Sequence, residues 1–209
     1  MISEALVDIL IPSFNNPNYL IPCINSILSH TISRDNSRIL VINHGAKEIA
    51  TLMPKYRNVH IISAGENLGW EGGLKLGLEY SKSKFVCFLN DDTFIPYSSS
   101  TWVNRCLYDF KDEQVAAVGP TSNVVSGFQN IFYDQIPGYY APLAPFLIGF
   151  CKFVRRKYLN EVGGIDDTLP GGDDFDLSIR FTKAGYKLVI NREVFVYHHG
   201  FKTGERLHG

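Results

Sequence analysis

The run Leu6-Val7-Asp8-Ile9-Leu10-Ile11-Pro12 is apolar at nearly every position, the pattern of a strand covered on both faces in a parallel sheet. Pro12 closes it. After Pro17 the apolar residues Leu20, Ile21, Ile24, Ile27 and Leu28 recur at helical spacing, and Arg38-Ile39-Leu40-Val41-Ile42-Asn43 returns to strand character. The alternation goes on to predict a helix over 46–56, a strand over 59–62, a helix over 72–81 and a strand over 85–89. Repeated βαβ units of this kind predict an α/β fold, a doubly wound and mostly parallel sheet flanked by helices. Beyond Pro96 the rhythm loosens into a helix over 101–110, a strand over 115–118 and a Gly/Pro/Tyr-rich segment over 126–145. A helix over 173–184, a strand over 186–190 and a short strand over 194–197 complete the pattern. No internal repeat and no long linker interrupts it.

At 209 residues the chain fits one domain better than two. Hydrophobic residues make up 45% and charged residues 20%, which supplies a core and carries no signature of disorder. The formal charge is −1 without a dense Lys/Arg cluster, so nucleic acid is not an expected partner. Cys23, Cys87, Cys106 and Cys151 are scattered, three of them in apolar segments. They read as reduced core thiols rather than a metal knuckle or a disulfide framework. The apolar stretch at 145–150 is too short to span a bilayer, and no basic segment precedes an apolar one at the N-terminus. A soluble cytoplasmic protein without an integral membrane segment is expected.

Ligands of open parallel sheets bind at the carboxyl ends of the strands, where loops converge and helix N-termini favour anions. The first strand leads into Pro12-Ser13-Phe14-Asn15-Asn16, the second into Asn43-His44-Gly45 and the fourth into Asn90-Asp91-Asp92-Thr93. A carboxylate in the last of these can hold a hard divalent cation that offsets a diphosphate; the plainer reading is an Asx-rich turn. Gly171-Gly172-Asp173-Asp174-Phe175-Asp176 opens the late helix. A carboxylate there can take a proton from a hydroxyl, or simply complement the helix dipole, with Asp176 and Arg180 as a surface i, i+4 pair. His198-His199-Gly200 follows the last strand, where an imidazole can complete a metal site or serve as an ordinary hydrogen-bonding group.

In this order, the motifs resemble the inverting family 2 glycosyltransferases of the GT-A fold over nearly the whole chain. Val7 to Asn15 is similar to the family's first strand and nucleotide loop, and Glu66-Asn67-Leu68-Gly69-Trp70-Glu71-Gly72-Gly73 to its Asn-x-Gly segment. Asn90-Asp91-Asp92-Thr93 resembles its DxD-type motif. Gly149-Phe150-Cys151 to Arg155-Arg156, Gly163-Gly164-Ile165-Asp166, Gly172-Asp173-Asp174 and Val196-Tyr197-His198 resemble its acceptor-side pattern.

The resemblance implies a nucleotide-binding half over about 1–95 and an acceptor and catalytic half over about 96–209. It implies that Asp92 and His198 bind Mn2+ or Mg2+, with Asp91 and Asn90 supporting the same donor site and His199 as an alternative to His198. Asp174 would be the general base with Asp173 assisting. Pro12, Ser13, Asn15, Asn43, Asn67 and Lys75 would contact the nucleotide-sugar donor, and a glycan or glycoprotein would be the acceptor. Two departures from the pattern stand out. Asn43 replaces the acid that would bond a pyrimidine base, which loosens the expected uridine preference. Asn90 replaces the first acid of the metal motif, which implies an ion bound together with the donor. The motif run is closest to the rhamnosyltransferase-like branch, implying a hexose or rhamnose donor.

Two enzyme classes with related sheets lack their signatures here. A nicotinamide-dependent dehydrogenase would carry Gly-x-Gly-x-x-Gly after the first strand, and a sugar nucleotidyltransferase a basic Gly-rich loop at the same place. A non-catalytic nucleotide- or glycan-binding module is the reading from a different class. The acids at both the metal and base positions argue against it.

Overall fold

The computed structural model describes residues 6–30, 37–45, 49, 57–132, 143–169 and 171–200. Its elements in chain order are β1 (Val7–Ser13), α1 (Pro17–Leu28), β2 (Ser37–Asn43), β3 (Val59–Ser63), α2 (Gly69–Tyr80), β4 (Phe85–Leu89) and β5 (Thr93–Phe94). They continue with α3 (Trp102–Tyr108), β6 (Val115–Thr121), β7 (Cys151–Arg155), α4 (Arg156–Glu161), α5 (Asp173–Lys183), β8 (Lys187–Phe195) and β9 (Tyr197–His198). A seven-stranded sheet has the order β3-β2-β1-β4-β7-β6-β8, and β5 and β9 form a separate two-stranded ladder. β3, β2, β1 and β4 are mutually parallel, β6 is parallel to β8, and β7 runs antiparallel to both of its neighbours. The expected α/β fold with a mostly parallel sheet and flanking helices is therefore what the chain adopts.

Side-chain alternation splits β1 between two cores. Val7, Ile9 and Ile11 pack with Leu20, Ile24 and Ile27 of α1, while Leu10 packs on the other face with Leu40, Ile42, Leu74 and Phe88. That double burial is why β1 reads as a continuous apolar run. Helix α2 approaches its face of the sheet very closely. A Cβ added at Gly77 would lie 2.9 Å from Ile42 Cδ1, and one at Gly73 would lie 2.8 Å from the His44 ring and 2.9 Å from Pro12 Cβ. Two glycines one turn apart thus let the helix N-terminus settle against the ends of β1 and β2.

Several boundaries differ from the sequence expectation. α2 begins three residues earlier than 72; the strand expected over 186–190 runs on as β8 to Phe195, and the strand expected over 194–197 is divided between the end of β8 and β9. β8 absorbs the polar Asn191-Arg192-Glu193 through a register shift against β6. β7 was not expected as a strand, because Lys152 and Arg155 interrupt its apolar pattern, yet both are buried. Arg155 is accommodated by donating to the carbonyls of Phe110 (2.7 Å) and Val115 (3.2 Å). The helix expected over 46–56 lies outside the described residues except Ile49, as do residues 133–142 of the Gly/Pro/Tyr-rich segment. Among the described residues no helix is long and apolar enough to cross a membrane.

The one charge in β1, Asp8, is fully buried. Arg38 Nε and Nη2 donate to its two carboxylate oxygens at 2.9 and 2.7 Å, and Ser81 Oγ donates at 2.5 Å. Burial pushes the carboxyl up, but the hydrogen bonds from Arg38, Ser81 and Ser83 together with the Arg38 charge hold it below its ordinary value. Removing the acceptor leaves these donors without a charged partner, so Asp8→Asn is expected to cost about 2 kcal/mol at pH 7. Because the folded carboxyl titrates lower than the unfolded one, its contribution is present above the ordinary value of 3.8 and is lost as pH falls below it. Urea unfolding of both proteins at pH 7 and pH 3 should show the gap narrowing in acid.

Candidate active site

The parallel strands β1, β2 and β4 end on one edge of the sheet, and a cavity of about 520 Å³ opens there. Its walls include Pro12, Ser13 and His44 from the β1 and β2 ends, Asn67, Trp70 and Glu71 at the start of α2, and Asn90, Asp91 and Asp92 after β4. The lining is completed by Ile148, Gly149 and Phe150 before β7, by Gly172, Asp173 and Asp174 at the start of α5, and by His198 on β9.

The two adjacent aspartates after β4 point to different partners. Asp91 accepts hydrogen bonds from Ser13 Oγ at 2.6 Å and Asn16 Nδ2 at 3.1 Å, which ties the loop after β1 to the loop after β4. Asp92 faces the other way, with Oδ1 3.2 Å from His198 Nε2. That meeting depends on the β5–β9 ladder, in which Thr93 stands opposite His198. Asn123 fixes the His198 backbone by donating from Nδ2 to its carbonyl (3.0 Å) and accepting its N–H at Oδ1 (2.9 Å). The imidazole stacks on Phe150, with ring centroids 5.4 Å apart.

His198 Nδ1 donates to the Val124 carbonyl at 2.8 Å. Nε2 is therefore the lone-pair nitrogen of the neutral ring, held near Asp92 and 3.3 Å from Asn90 Nδ2. A carbonyl on the far nitrogen is the arrangement that orients a metal-binding imidazole. Among the described residues no cluster of three His, Cys, Asp or Glu side chains could hold a metal. Asp92 and His198, the two residues expected to bind a metal, are nevertheless brought together. Burial pushes the His198 imidazole down, but Asp92, the Val124 carbonyl and Asp91 outweigh it and raise the net value.

At the start of α5, Gly172 takes φ +78° as the residue before the helix. Asp174 accepts the backbone N–H of Phe175 at 2.8 Å and of Gly149 at 3.3 Å. Asp173 accepts Trp70 Nε1–H at 3.3 Å. Burial pushes the Asp173 carboxyl up, Lys152 pulls it down, Asp174 and Glu71 raise it, and the Trp70 bond lowers it, with a net rise. Asp176 pairs with Arg180 at 2.5 Å, and Arg180 also donates to the carbonyls of Val162 and Gly164. That pair braces the helix against the preceding turn.

Of the residues singled out in the sequence, Pro12, Ser13, Asn67, Asn90, Asp91, Asp92, Asp173, Asp174 and His198 line the one cavity. Asn15 and Asn43 lie beside Gly45, Asn15 in a left-handed conformation (φ 48°) and Asn43 accepting the Gly45 N–H at 3.3 Å. Lys75 is on the exposed side of α2, its ammonium 2.8 Å from Asp167. His199 is exposed and packs its ring edge-on against Tyr19 and Tyr197. His44, Trp70 and Phe150 were not singled out as site residues. Nothing in their local sequence shows the distant partners they meet, Asn67 for His44, Asp173 for Trp70 and His198 for Phe150, although Trp70 lies within the Asn-x-Gly segment. His44 is buried and pushed down by desolvation, so its ring is neutral at pH 7.

Residues 8–163 match the model of Glycosyl transferase family 2. Glycosyltransferase AglE of Haloferax volcanii is 26% identical over 215 residues, covering 96% of this chain and 69% of its own. Among solved structures, the mannosyltransferase PcManGT of Pyrobaculum calidifontis, in complex with GDP-Man and Mn2+, superposes with a TM-score of 0.77 at 18% identity. GalNAc-T7 with UDP, GalNAc and Mn2+ superposes with a TM-score of 0.75 at 13% identity. These two superpositions cover 96% and 94% of this chain but only 59% and 44% of the solved chains. They establish the shared GT-A fold.

The charge on His198 is coupled to Asp92. In an NMR titration of the imidazole protons, the His198 midpoint is expected above the ordinary histidine value of 6.5 and should fall in Asp92→Asn. A midpoint that does not move would assign the effect to another neighbour.

Proposed function

The chain belongs to glycosyl transferase family 2, and from that membership we propose a divalent-metal-dependent, inverting transfer of a sugar from a nucleoside diphosphate to a glycan hydroxyl. The observation that carries this reading is that the Asp92–His198 pair and Asp174 line the same cavity. A donor seated between them would have its diphosphate beside the first pair and its anomeric carbon facing the second.

In this reading Asp174 removes the proton of the acceptor hydroxyl as that oxygen attacks the anomeric carbon. The bond from carbon to the diphosphate oxygen breaks on the opposite face, the nucleoside diphosphate leaves, and the anomeric configuration inverts. Two backbone N–H bonds fix the Asp174 carboxylate, and Trp70 holds Asp173 beside it. Asp92 and His198 would hold Mn2+ or Mg2+, which when bound supplies positive charge to the diphosphate. Ser13, held by Asp91, and Asn67 border the nucleotide end of the cavity.

The named ligands of the two structural neighbours carry different bases, guanine and uracil. Asn43, where an acid would select uracil, can bond a base without charge, and a UDP-linked hexose or rhamnose is the proposed donor. A nucleotide-binding half over about 1–95 and an acceptor half over about 96–209 remain the proposed division of labour. The four buried free thiols support a reducing, cytoplasmic setting.

Calorimetric titration with UDP, dTDP and GDP, each with and without Mn2+, is the direct test. Binding of one nucleotide that strengthens at least tenfold with metal is expected. Failure of all three to bind the folded protein would sink the proposal. Asp174→Asn should bind that nucleotide normally and lose at least a hundredfold in transfer rate, measured as sugar released from labelled donor onto acceptor.

A further inference from the structure

The chain has two tryptophans, Trp70 and Trp102. Trp102 is fully buried and packs edge-on against Phe153, with ring centroids 5.3 Å apart. Trp70, the second residue of α2, is half-buried and lines the cavity. Its buried part packs against the core that holds Leu74 and Leu177, and its Nε1–H donates to Asp173 Oδ2 at 3.3 Å. The ring is thus fixed from two directions while the rest of it borders the cavity. Bonding Asp173 takes a single N–H donor, which a far smaller side chain could supply. The aromatic surface left on the cavity is not needed for that bond.

The indole edge also borders Gly149. A Cβ added at Gly149 would lie 3.8 Å from Trp70 Nε1, 3.9 Å from Trp70 Cζ2 and 3.8 Å from Asp174 Cβ. These are ordinary contact distances, so one methyl group fits there, and a longer side chain would occupy the space beside both residues. A bare glycine therefore keeps the cavity open between an aromatic surface and the carboxylate assigned as base. A pyranose ring suits such a place, because its C–H face packs on an aromatic surface while the hydroxyls around its rim reach polar groups.

The position of Trp70 along the chain says which sugar this is. Asn67, which borders the nucleotide end of the cavity, accepts the Gly69 N–H at 3.1 Å and so fixes the turn into α2. Asn67, Gly69, Trp70 and Glu71 all line the cavity, and the segment leads from the nucleotide end to Asp173. A sugar tethered to the nucleotide through its diphosphate has to follow the same path to reach Asp174.

We propose that Trp70 is a specificity-determining residue, the platform on which the sugar ring of the donor packs beside Asp174, with Gly149 left bare to admit it. The inference rests on the reading of this cavity as a nucleotide-sugar site.

Because Trp102 is buried in the core, a change of indole emission on ligand binding reports Trp70. The probes are UDP against UDP-glucose, dTDP against dTDP-glucose and GDP against GDP-mannose. For the base that binds, the sugar nucleotide should move the emission to shorter wavelength than the nucleotide alone does, since the sugar displaces water from the indole. Identical emission for the two overturns the proposal. This measurement uses the wild-type protein and holds even if a variant fails to fold. In calorimetry with the same pair, Trp70→Ala should weaken the sugar nucleotide about tenfold and leave the nucleotide unchanged. Trp70→Phe should regain most of that loss, and Gly149→Val should weaken the sugar nucleotide alone. A residue that acts only by bracing Asp173 through its N–H would make Trp70→Phe no better than Trp70→Ala, and that result overturns the proposal, as does equal weakening of nucleotide and sugar nucleotide. If no nucleotide binds the wild-type protein, the reading of the site itself fails; nucleotide binding with sugar affinity independent of Trp70 overturns this inference alone.

Discussion

Strand β7 runs against the two strands it separates, and that reversal sets the geometry of the cavity. Its first residues lie beside the end of β4, where the Asn90 N–H donates to the Phe150 carbonyl at 2.9 Å. The same alignment puts Gly149 against Asp174 and Phe150 against the His198 ring. In a wholly parallel sheet the residues preceding a strand would lie at the far edge, away from the loops that gather ligands. One antiparallel strand delivers both of its neighbours' working ends and its own leading segment to a single place.

The acids around the cavity are stabilised in three different ways. Asp91 is satisfied by neutral donors, Ser13 and Asn16, and so becomes part of the frame. Asp92 is matched by an imidazole whose own charge can change. Asp173 and Asp174 are met by indole and backbone N–H groups. Adjacent residues of the same type thereby acquire different chemistry from their surroundings alone, which is the general route by which a fold separates structural from reactive carboxylates.

Much of this was legible in the chain itself. β1, β2 and β4 announce themselves because strands covered on both faces have to be apolar throughout. The acids after β4 and before α5 are legible because they stand where strands end and helices start. The strand β7 was hidden by Lys152 and Arg155, both buried, with Arg155 met by carbonyls supplied from elsewhere in the chain. Trp70 was hidden for the same reason, since the carboxylate it bonds is 103 residues away. The opposite orientations of Asp91 and Asp92 were equally out of reach, being set by a two-residue ladder between β5 and β9. What escaped the sequence is pairwise and distant.

The place of β7 also has a consequence for the time course of assembly. β1 to β4 can pair as soon as they exist, but β6, although made before β7, has no contact with β4 until β7 fills the space between them. During synthesis the outer edge of β4 is therefore open while more than fifty residues are added, an interval in which its backbone groups are available to other chains. The strand that organises the cavity is also the one that seals this edge, and the cavity is completed only afterwards, when Asp173, Asp174 and His198 are added.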